Sequence, residues 1–505
     1  DAAAAAGVVP VVAAGNDYND VGAGSVSSPA NSARAITVGA VEVVGNPGTT
    51  RLADFSSVGP TTMSLRLKPD VAAPGVGILS SVPNGGWSAI SGTSMAAPHI
   101  AGAVALLRQR HPRWTVAQVK SALVQTGTDV VDGGSGSLGP QFQGGGVVSL
   151  PAANQPLLFA QPSGVSFGLV GRGARTVGSI ALGDAGGGTG SWQVRELRPF
   201  SSTGRADLVL PASVDVPGSL AYELVTPTGA AQGDVSGFIE LRRGTDVRRI
   251  PFWGRVAVPA LGRHAARALV RPGVFRGTTR GRPALVTRYR YPENPRGVGV
   301  TTMLRGPELV YRFRLTRAAV NFGVVVTQQA PGVRVEPRVV ARMDENRLTG
   351  YAGLPVHHNP YLEGFRSPVP AAGALSPRAG EYAIVFDSAT RAGAGRFTFR
   401  FWVNDVTPPT LRVRSRTVNA GSPFLVGAAD AGSGVYPASI RVTVGGRAVR
   451  HEFRNGVIRI PTVGLTRGTH RLQLRVSDYQ ETKNTENVRR ILPNTRILST
   501  TFTVR

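Results

Sequence analysis

Cysteine is absent from the 505 residues. That excludes a disulfide framework and any thiolate-ligated metal centre, and it leaves the redox compartment open. No apolar run of about 18 residues occurs, so no membrane-spanning helix is expected. Lysine is almost missing: only Lys68, Lys120 and Lys483 are present, so the 56 basic residues are nearly all arginine. Histidine is scarce as well. Residues 1–98 contain none, and His99 and His111 are the only two before His264. The chain also lacks a basic leader with a cleavage site. Asp1 and the five alanines after it read as the last turns of a helix already under way. The expectation is a chain that begins inside a domain, with a signal peptide upstream and an extracellular or cell-surface location.

What is present points to several packed cores. At roughly 100–200 residues per domain, the length suggests about three or four domains. Hydrophobic residues make up 42%, and the 64 glycines and 37 prolines are aperiodic, which fits loop-rich and β-rich folds. The net charge of +26 is unevenly placed. Residues 1–150 carry 8 basic and 8 acidic residues, so the whole excess lies beyond them. A basic surface attracts polyanions, and an anionic surface or polymer is a possible partner of the later domains. The arginines are scattered without a long basic run, which is equally the pattern of solvated faces. No interleaving of aromatic and basic residues marks a nucleic-acid site.

Residues 8–13, 35–41 and 76–82 read as short buried strands of a parallel sheet. Residues 94–110 read as a helix whose apolar face uses Ala96, Ala97, Ile100, Ala101, Val104, Ala105, Leu106 and Leu107. Thr115 and Gln118 form a capping box that starts another helix, closed by Gly127. Strand, loop and helix alternate up to about residue 150. Beyond residue 155 the helical period fades, and short β-branched or aromatic runs recur at 236–241, 252–258, 310–315, 397–403, 440–444 and 471–476. The expected fold class is therefore multidomain: a partial α/β domain with a parallel sheet, followed by all-β sandwich domains. The expected divisions are 1–153, 154–262, 263–406 and 407–505.

The segment Ser91-Gly92-Thr93-Ser94-Met95-Ala96-Ala97-Pro98-His99 carries the chemistry. Ser94 sits where loop becomes helix, and a helix start offers unpaired N–H groups and a positive dipole end. A serine there can present its hydroxyl outward while its own N–H faces a developing oxyanion. A lone serine before a helix is more often a plain cap. All nine residues together closely resemble the nucleophile signature of the subtilisin-like proteases. Three further segments match in order: Ala13-Ala14-Gly15-Asn16 resembles the oxyanion-hole segment, Phe55-Ser56-Ser57-Val58-Gly59-Pro60 a scaffold loop, and Lys68-Pro69-Asp70-Val71-Ala72-Ala73-Pro74-Gly75 a second scaffold segment.

The resemblance covers residues 1–150, about the last half of a catalytic domain. It implies a serine endopeptidase that acts on protein or peptide substrates, with Ser94 acylated and Asn16 donating to the oxyanion. Ala13, Ala14, Gly15, Ser28 and Pro29 would form part of the substrate pocket. The chemistry needs no cofactor; subtilases often bind calcium, but Asp17 and Asp20 match no calcium spacing. Members of the family place the triad's Asp and His before Ser in the chain, and neither motif occurs here. His99, five residues along one helix from Ser94, lies on a different face and cannot easily serve as the base. The expectation is that an N-terminal piece carrying Asp and His is needed, and that this chain alone is nearly inactive. The alternative is a non-catalytic remnant that binds or scaffolds through its basic β domains. His357 and His358 are adjacent and so diverge, without metal-ligand spacing; His264, His451 and His470 stand singly. Residues 154–262 are expected to be fibronectin type III-like, and residues 407–505, with their Asp430-Ala431-Gly432-Ser433-Gly434-Val435 and Ser477-Asp478 segments, immunoglobulin-like.

Overall fold

The computed structural model describes all residues except 46–48, 62–63, 132–135, 199–202, 287–305, 352–370, 389 and 480–493. The His357-His358 pair therefore lies outside the described residues. The chain divides into two compact units, one built on Asp1–Val258 and one on Pro259–Tyr289 with Gly299–Arg505.

The first unit opens with α1 (Ala2–Ala5) and leads into β1 (Val11–Ala13) and α2 (Tyr18–Val21). Then come β2 (Ile36–Val44), β3 (Thr49–Leu52), β4 (Val71–Pro74), β5 (Ile78–Val82) and β6 (Gly86–Ile90). Helices α3 (Thr93–Arg110), α4 (Val116–Gln125), α5 (Pro140–Gln143) and α6 (Leu150–Asn154) follow. Strand β2 is the centre of one sheet: β1 and β4 pair with it in parallel, and β3 folds back antiparallel. Among the described residues, β1 pairs with β2 alone and lies at the edge of this sheet. The near-continuous apolar run of β2 is what burial on both faces demands, and residues 36–41 are all buried.

Helix α3 lies against this sheet. Its residues Ala96, Ile100, Ala103, Val104 and Leu107 share a core with Ile36, Val38, Ala40, Val71 and Ala73. The apolar face is narrower than the sequence suggests, because Ala101, Ala105 and Leu106 are exposed. The capping box of α4 forms: Thr115 Oγ1 accepts from Gln118 N–H, and Thr115 N–H donates to Gln118 Oε1. One expected strand changes partner. Residues 78–82 pair antiparallel with β6 in a separate two-stranded hairpin, largely exposed, and the third parallel strand is β4. The reason is sequence-local. Pro83-Asn84-Gly85 makes a tight reversal, with Asn84 and Gly85 both at positive φ, so 78–82 folds onto its own continuation.

The regular elements described between residues 158 and 257 are all strands. One five-stranded sheet runs, in spatial order, Ser213–Val216, Gly190–Leu197, Gly233–Arg243, Asp246–Ala257 and Val165–Gly171. A four-stranded sheet holds Asp207–Val209, Gly218–Val225, Arg175–Asp184 and Leu158–Gln161. Both sheets feed one core, in which Trp192, Ile239 and Phe252 meet Ile180, Leu220 and Leu224. This layer joins the α/β part firmly. Arg249 donates to Gly127 O and Asp129 Oδ1 with its guanidinium over the Phe238 ring, and Arg248 caps the carbonyls of Gln155 and Pro156. Leu65 and Leu67 pack on Leu169 and Trp253.

The second unit repeats the pattern twice. Strands from Arg267 to Val403 make a five-stranded and a four-stranded sheet around one aromatic-rich core that includes Tyr311, Phe313, Phe322, Phe386 and Phe399. Strands from Thr410 to Val504 make another pair around Phe424, Ile458, Leu474 and Phe502. The six β-rich runs marked in the sequence all fall within strands, apart from a residue at an end.

Candidate active site

Helix α3 starts at Thr93, with Gly92 as its cap. The first N–H groups of a helix have no acceptor within it. Here the N–H of Thr93 is taken by the Asn16 side chain, whose Oδ1 accepts it at 2.9 Å. Thr93 Oγ1 donates to the same Oδ1 at 2.9 Å and also meets the backbone N and O of Gly15 at 3.2 Å. Thr93 itself is buried, 1% exposed. These bonds settle the amide's orientation. An oxygen must face the Thr93 N–H, so Nδ2 faces the other way, and it has no acceptor among the described residues.

Ser94 is the next residue and is exposed. Its N–H also lacks an acceptor among the described residues. The two donors lie about Gly92, which is buried: the position a β-carbon would occupy there lies 3.4 Å from Asn16 Nδ2, 3.5 Å from Met95 Sδ and 3.6 Å from Ser94 N. Gly92 has φ 162°, extended backbone open to any residue, so a glycine here serves space rather than conformation. Two N–H donors close to one another and to a serine hydroxyl, without acceptors among the described residues, form an arrangement that can stabilise negative charge on a carbonyl oxygen.

The surrounding loops hold this geometry. Ser57 N–H donates to Gly15 O, and Ser57 Oγ accepts from Asp17 N–H. Gly15, at φ 114°, leaves no room for a side chain, because a β-carbon would stand 2.8 Å from Ser57 Oγ. Ser56 Oγ accepts from Ala40 N–H and ties the same turn to the sheet. Gly75 O accepts from Gly92 N–H, and a β-carbon on Gly75 would strike Ala40 and the Gly92 carbonyl. Ala13 ends β1, Ala14 is buried, and Ala14 O accepts from Ser27 N–H, which brings the Ser28-Pro29 loop beside this strand. Ser28 and Pro29 are both exposed.

Deeper in the domain, Asp70 holds two lysines. Lys68 Nζ lies 2.5 Å from its Oδ2 and Lys120 Nζ 2.7 Å from its Oδ1, and Asp70 also accepts the Thr37 N–H. Both ammonium groups donate in addition to Ala35 O. Burial pulls Lys68 down to about 7, against the opposing attraction of Asp70. Burial alone would raise the Asp70 carboxyl, but Lys120 and then Lys68 outweigh it and hold it below its ordinary range.

The histidines go elsewhere. His99 Nδ1 bonds Met95 O on its own helix. The His111 ring stacks on Trp114 at 3.8 Å, and its Nε2 faces Asn154. His264 is buried against Glu308, while His470 bonds Thr466 O. Among the described residues, no histidine hydrogen-bonds Ser94. Asp17 and Asp20 lie at the surface, and partial desolvation of the Asp17 carboxyl, then the charge of Asp20, raises its pKa.

The sequence picked out Asn16 and Ser94 but not Thr93, which links them. The signal was present in the same nonapeptide. A hydroxyl directly after the capping glycine is placed to reach back to the preceding loop.

The model of the subtilase peptidase family matches residues 1–144. Subtilisin NAT of Bacillus subtilis subsp. natto is 40% identical over 156 residues, covering 31% of this chain and 36% of the relative. Subtilisin of Bacillus pumilus is 40% identical over the same length, covering 31% of this chain and 50% of the relative. The chain thus spans between about a third and a half of the length of these relatives. Among solved structures, the prenylagaramide maturation protease PagA is 28% identical with a TM-score of 0.25, over 30% of this chain and 52% of that one.

Proposed function

Because the N-terminal part of this chain is a subtilisin-like domain, we propose that it carries the nucleophile side of a serine endopeptidase centre. Ser94 is the residue acylated during peptide-bond hydrolysis. Its backbone N–H and Asn16 Nδ2 bind the oxyanion, and Thr93 fixes the Asn16 amide in the donating orientation. Ala13, Ala14, Gly15, Ser28 and Pro29 line the part of the substrate groove that these residues contribute. The observation that carries this reading is the pair of donors, Asn16 Nδ2 and Ser94 N–H, that lie close together about Gly92 without acceptors among the described residues, beside an exposed serine.

A serine hydroxyl needs a base, and the base needs an orienting group. Residues 1–98 hold no histidine, and His99 and His111 are engaged with Met95 and Asn154. In this reading the base and its carboxylate come from polypeptide other than these 505 residues, and the chain alone is nearly inactive. The β-rich remainder is read as sandwich modules: 154–262 fibronectin type III-like, 263–406 a further sandwich, and 407–505 immunoglobulin-like. They dock substrate or an anionic surface outside the cell.

The test is active-site labelling with a fluorophosphonate. The chain alone labels no faster than its unfolded form. Fused behind the N-terminal half of the Bacillus pumilus subtilisin, it labels stoichiometrically at Ser94, and Ser94→Ala abolishes the label. Rapid labelling of the chain alone would overturn the externally supplied base. A folded fusion that stays unlabelled would overturn the assignment of Ser94, and would favour the reading of the domain as a binding module.

A further inference from the structure

The first unit holds a cavity that the protease reading does not use. Its volume is about 940 Å³, and it is bounded by α1, the end of α3, the start of α4 and the turn between strands Leu158–Gln161 and Val165–Gly171. That is the size of a small-molecule site, roughly 300–1,000 Å³. Five of the eight basic residues of 1–150 line it, namely Arg34, Arg66, Lys68, Arg108 and Lys120, against one of the eight acidic residues, Asp70. No other lining residue is charged, so five cations and one carboxylate leave the wall with a formal charge of +4. The cavity lies apart from Ser94: Arg108 is fourteen residues further along α3, about 21 Å at 1.5 Å per residue.

The three arginines are not neutralised. Among the described residues, the Arg34 guanidinium has no partner; that of Arg66 donates to the Ser64 hydroxyl and that of Arg108 to the Trp114 carbonyl, and neither meets a carboxylate. Asp1 comes close to Arg34, but its Oδ1 takes the Arg34 backbone N–H and the Ser32 hydroxyl. Asp70 is engaged by Lys68 and Lys120, whose ammonium groups also bond Ala35 O. The fall of Lys68 to about 7 comes from burial first; the charge of Lys120 adds to it and Asp70 opposes it. Arg249, which joins the same two layers, contrasts with this group, because its guanidinium is matched to Asp129 and Gly127 O. Unmatched like charges around a concave wall raise a positive potential inside it, and such a wall concentrates anions.

We infer that this cavity binds a small organic anion with two or more acid groups, held by Arg34, Arg66 and Arg108. A guanidinium takes carboxylate or phosphate oxygens in pairs through its planar fork, so three of them suit a ligand with more than one acid group. Leu67, Val116, Val165 and Pro251 give the wall an apolar part, which suits a carbon skeleton rather than a bare ion. The walls belong to different layers. Arg108 and Lys120 stand on helices α3 and α4, whereas Ser163 and Val165 come from the first β layer. A bound anion would tie these layers together, and would do so whether or not Ser94 is a nucleophile.

The experiment treats the full chain with phenylglyoxal, which modifies accessible guanidinium groups, and follows each arginine by peptide mass spectrometry. The probes are citrate, for carboxylates, and fructose 1,6-bisphosphate, for phosphates, each against sodium chloride at matched ionic strength. At least one probe is expected to slow modification of Arg34, Arg66 and Arg108 at least fivefold, while the exposed Arg110 and Arg113 react at unchanged rates. Protection by citrate alone assigns carboxylates, by the bisphosphate alone phosphates, and by both a site read through charge. Arg34→Gln combined with Arg66→Gln removes two guanidinium groups that hold no carboxylate, and should raise the anion concentration that half-protects Arg108 at least tenfold. Equal rates in sodium chloride and in both probes for the wild-type chain would overturn the inference, whatever the double variant's folding behaviour. So would slowing that extends equally to Arg110 and Arg113, or undiminished protection of Arg108 in the folded double variant.

Discussion

Under the proposed function three residues divide the work between them: Asn16, in the loop after β1, supplies a donor, Thr93, the first residue of α3, aims it, and Gly92 leaves room beside it. In the complemented protease, Asn16→Ala should lower kcat by about 10²–10³ with KM little changed, the range for losing one oxyanion donor. Thr93→Val keeps the shape but removes both hydroxyl contacts. It should lower kcat less than Asn16→Ala does, and combining the two changes should add little, since both act through one amide. Gly92→Ala meets its neighbours at ordinary contact distance. Its melting temperature should therefore hold while the rate of Ser94 labelling falls. The Asp70 cluster makes a separate prediction about pH. The carboxyl pKa is depressed in the fold, so ionised Asp70 stabilises above its ordinary value of 3.8, and this is lost as pH falls through the folded value. Asp70→Asn leaves two buried lysines without their counter-ion and should cost about 3–5 kcal/mol in urea unfolding near neutrality. Lys68 has the opposite charge and also a lowered pKa. From about 7 to 10.5 the unfolded chain holds the proton that the fold has shed, so stability gains with rising pH. Lys68→Met should flatten that slope, with Lys120 still paired to Asp70.

At the level of elements, close backbone contact decides more than side-chain chemistry. Gly144, Gly145 and Gly146 thread between the end of α4 and the sheet, and a β-carbon on Gly145 would lie 1.8 Å from Val124 O. Gly145→Ala should therefore unfold the α/β part or lower its stability by about 3 kcal/mol, measured by the loss of cooperative melting. This contact also shows what was legible beforehand. The start of α3 and the Thr115–Gln118 box were readable because their signals are local: a cap, a small residue and a periodic apolar face within one short stretch. The placement of 78–82 was not readable from its own residues, because a short apolar run looks alike in a parallel sheet and in a hairpin. Only the reversal at Asn84-Gly85 distinguishes them. Thr93 and the glycine triplet escaped notice for a related reason. Their partners, Asn16 and Val124, are fixed by tertiary packing that no single-residue preference encodes.

Across the molecule, arginine serves as a mortar between layers as well as a surface charge. Arg249 reaches from the first β layer to Gly127 and Asp129, and Arg255 pairs with Asp234 within that layer. Arg249→Met should cost about 2–3 kcal/mol through its charged hydrogen bonds. In calorimetry it should split the joint melting of residues 1–258 into two transitions. Beyond residue 150, Arg198, Arg175, Arg195 and Arg255 pair with Glu196, Glu223, Glu240 and Asp234, but each pair removes one charge of either sign and leaves the basic excess intact. Binding of the full chain to heparin beads should be measurable at low salt and should fade steeply as salt rises; no binding at low salt would count against the docking role of the β modules.

The one-sided strand β1 has a consequence for handling the protein. Val12 turns its amide and carbonyl to β2, as Pro10 does its carbonyl and Ala14 its amide, whereas the amides and carbonyls of Val11 and Ala13 face the side on which no strand of the described residues pairs. In concentrated solution another molecule's extended segment can zip onto this lip and seed sticky, ladder-like assemblies. A short peptide matched to the lip would occupy it first and keep the molecules apart.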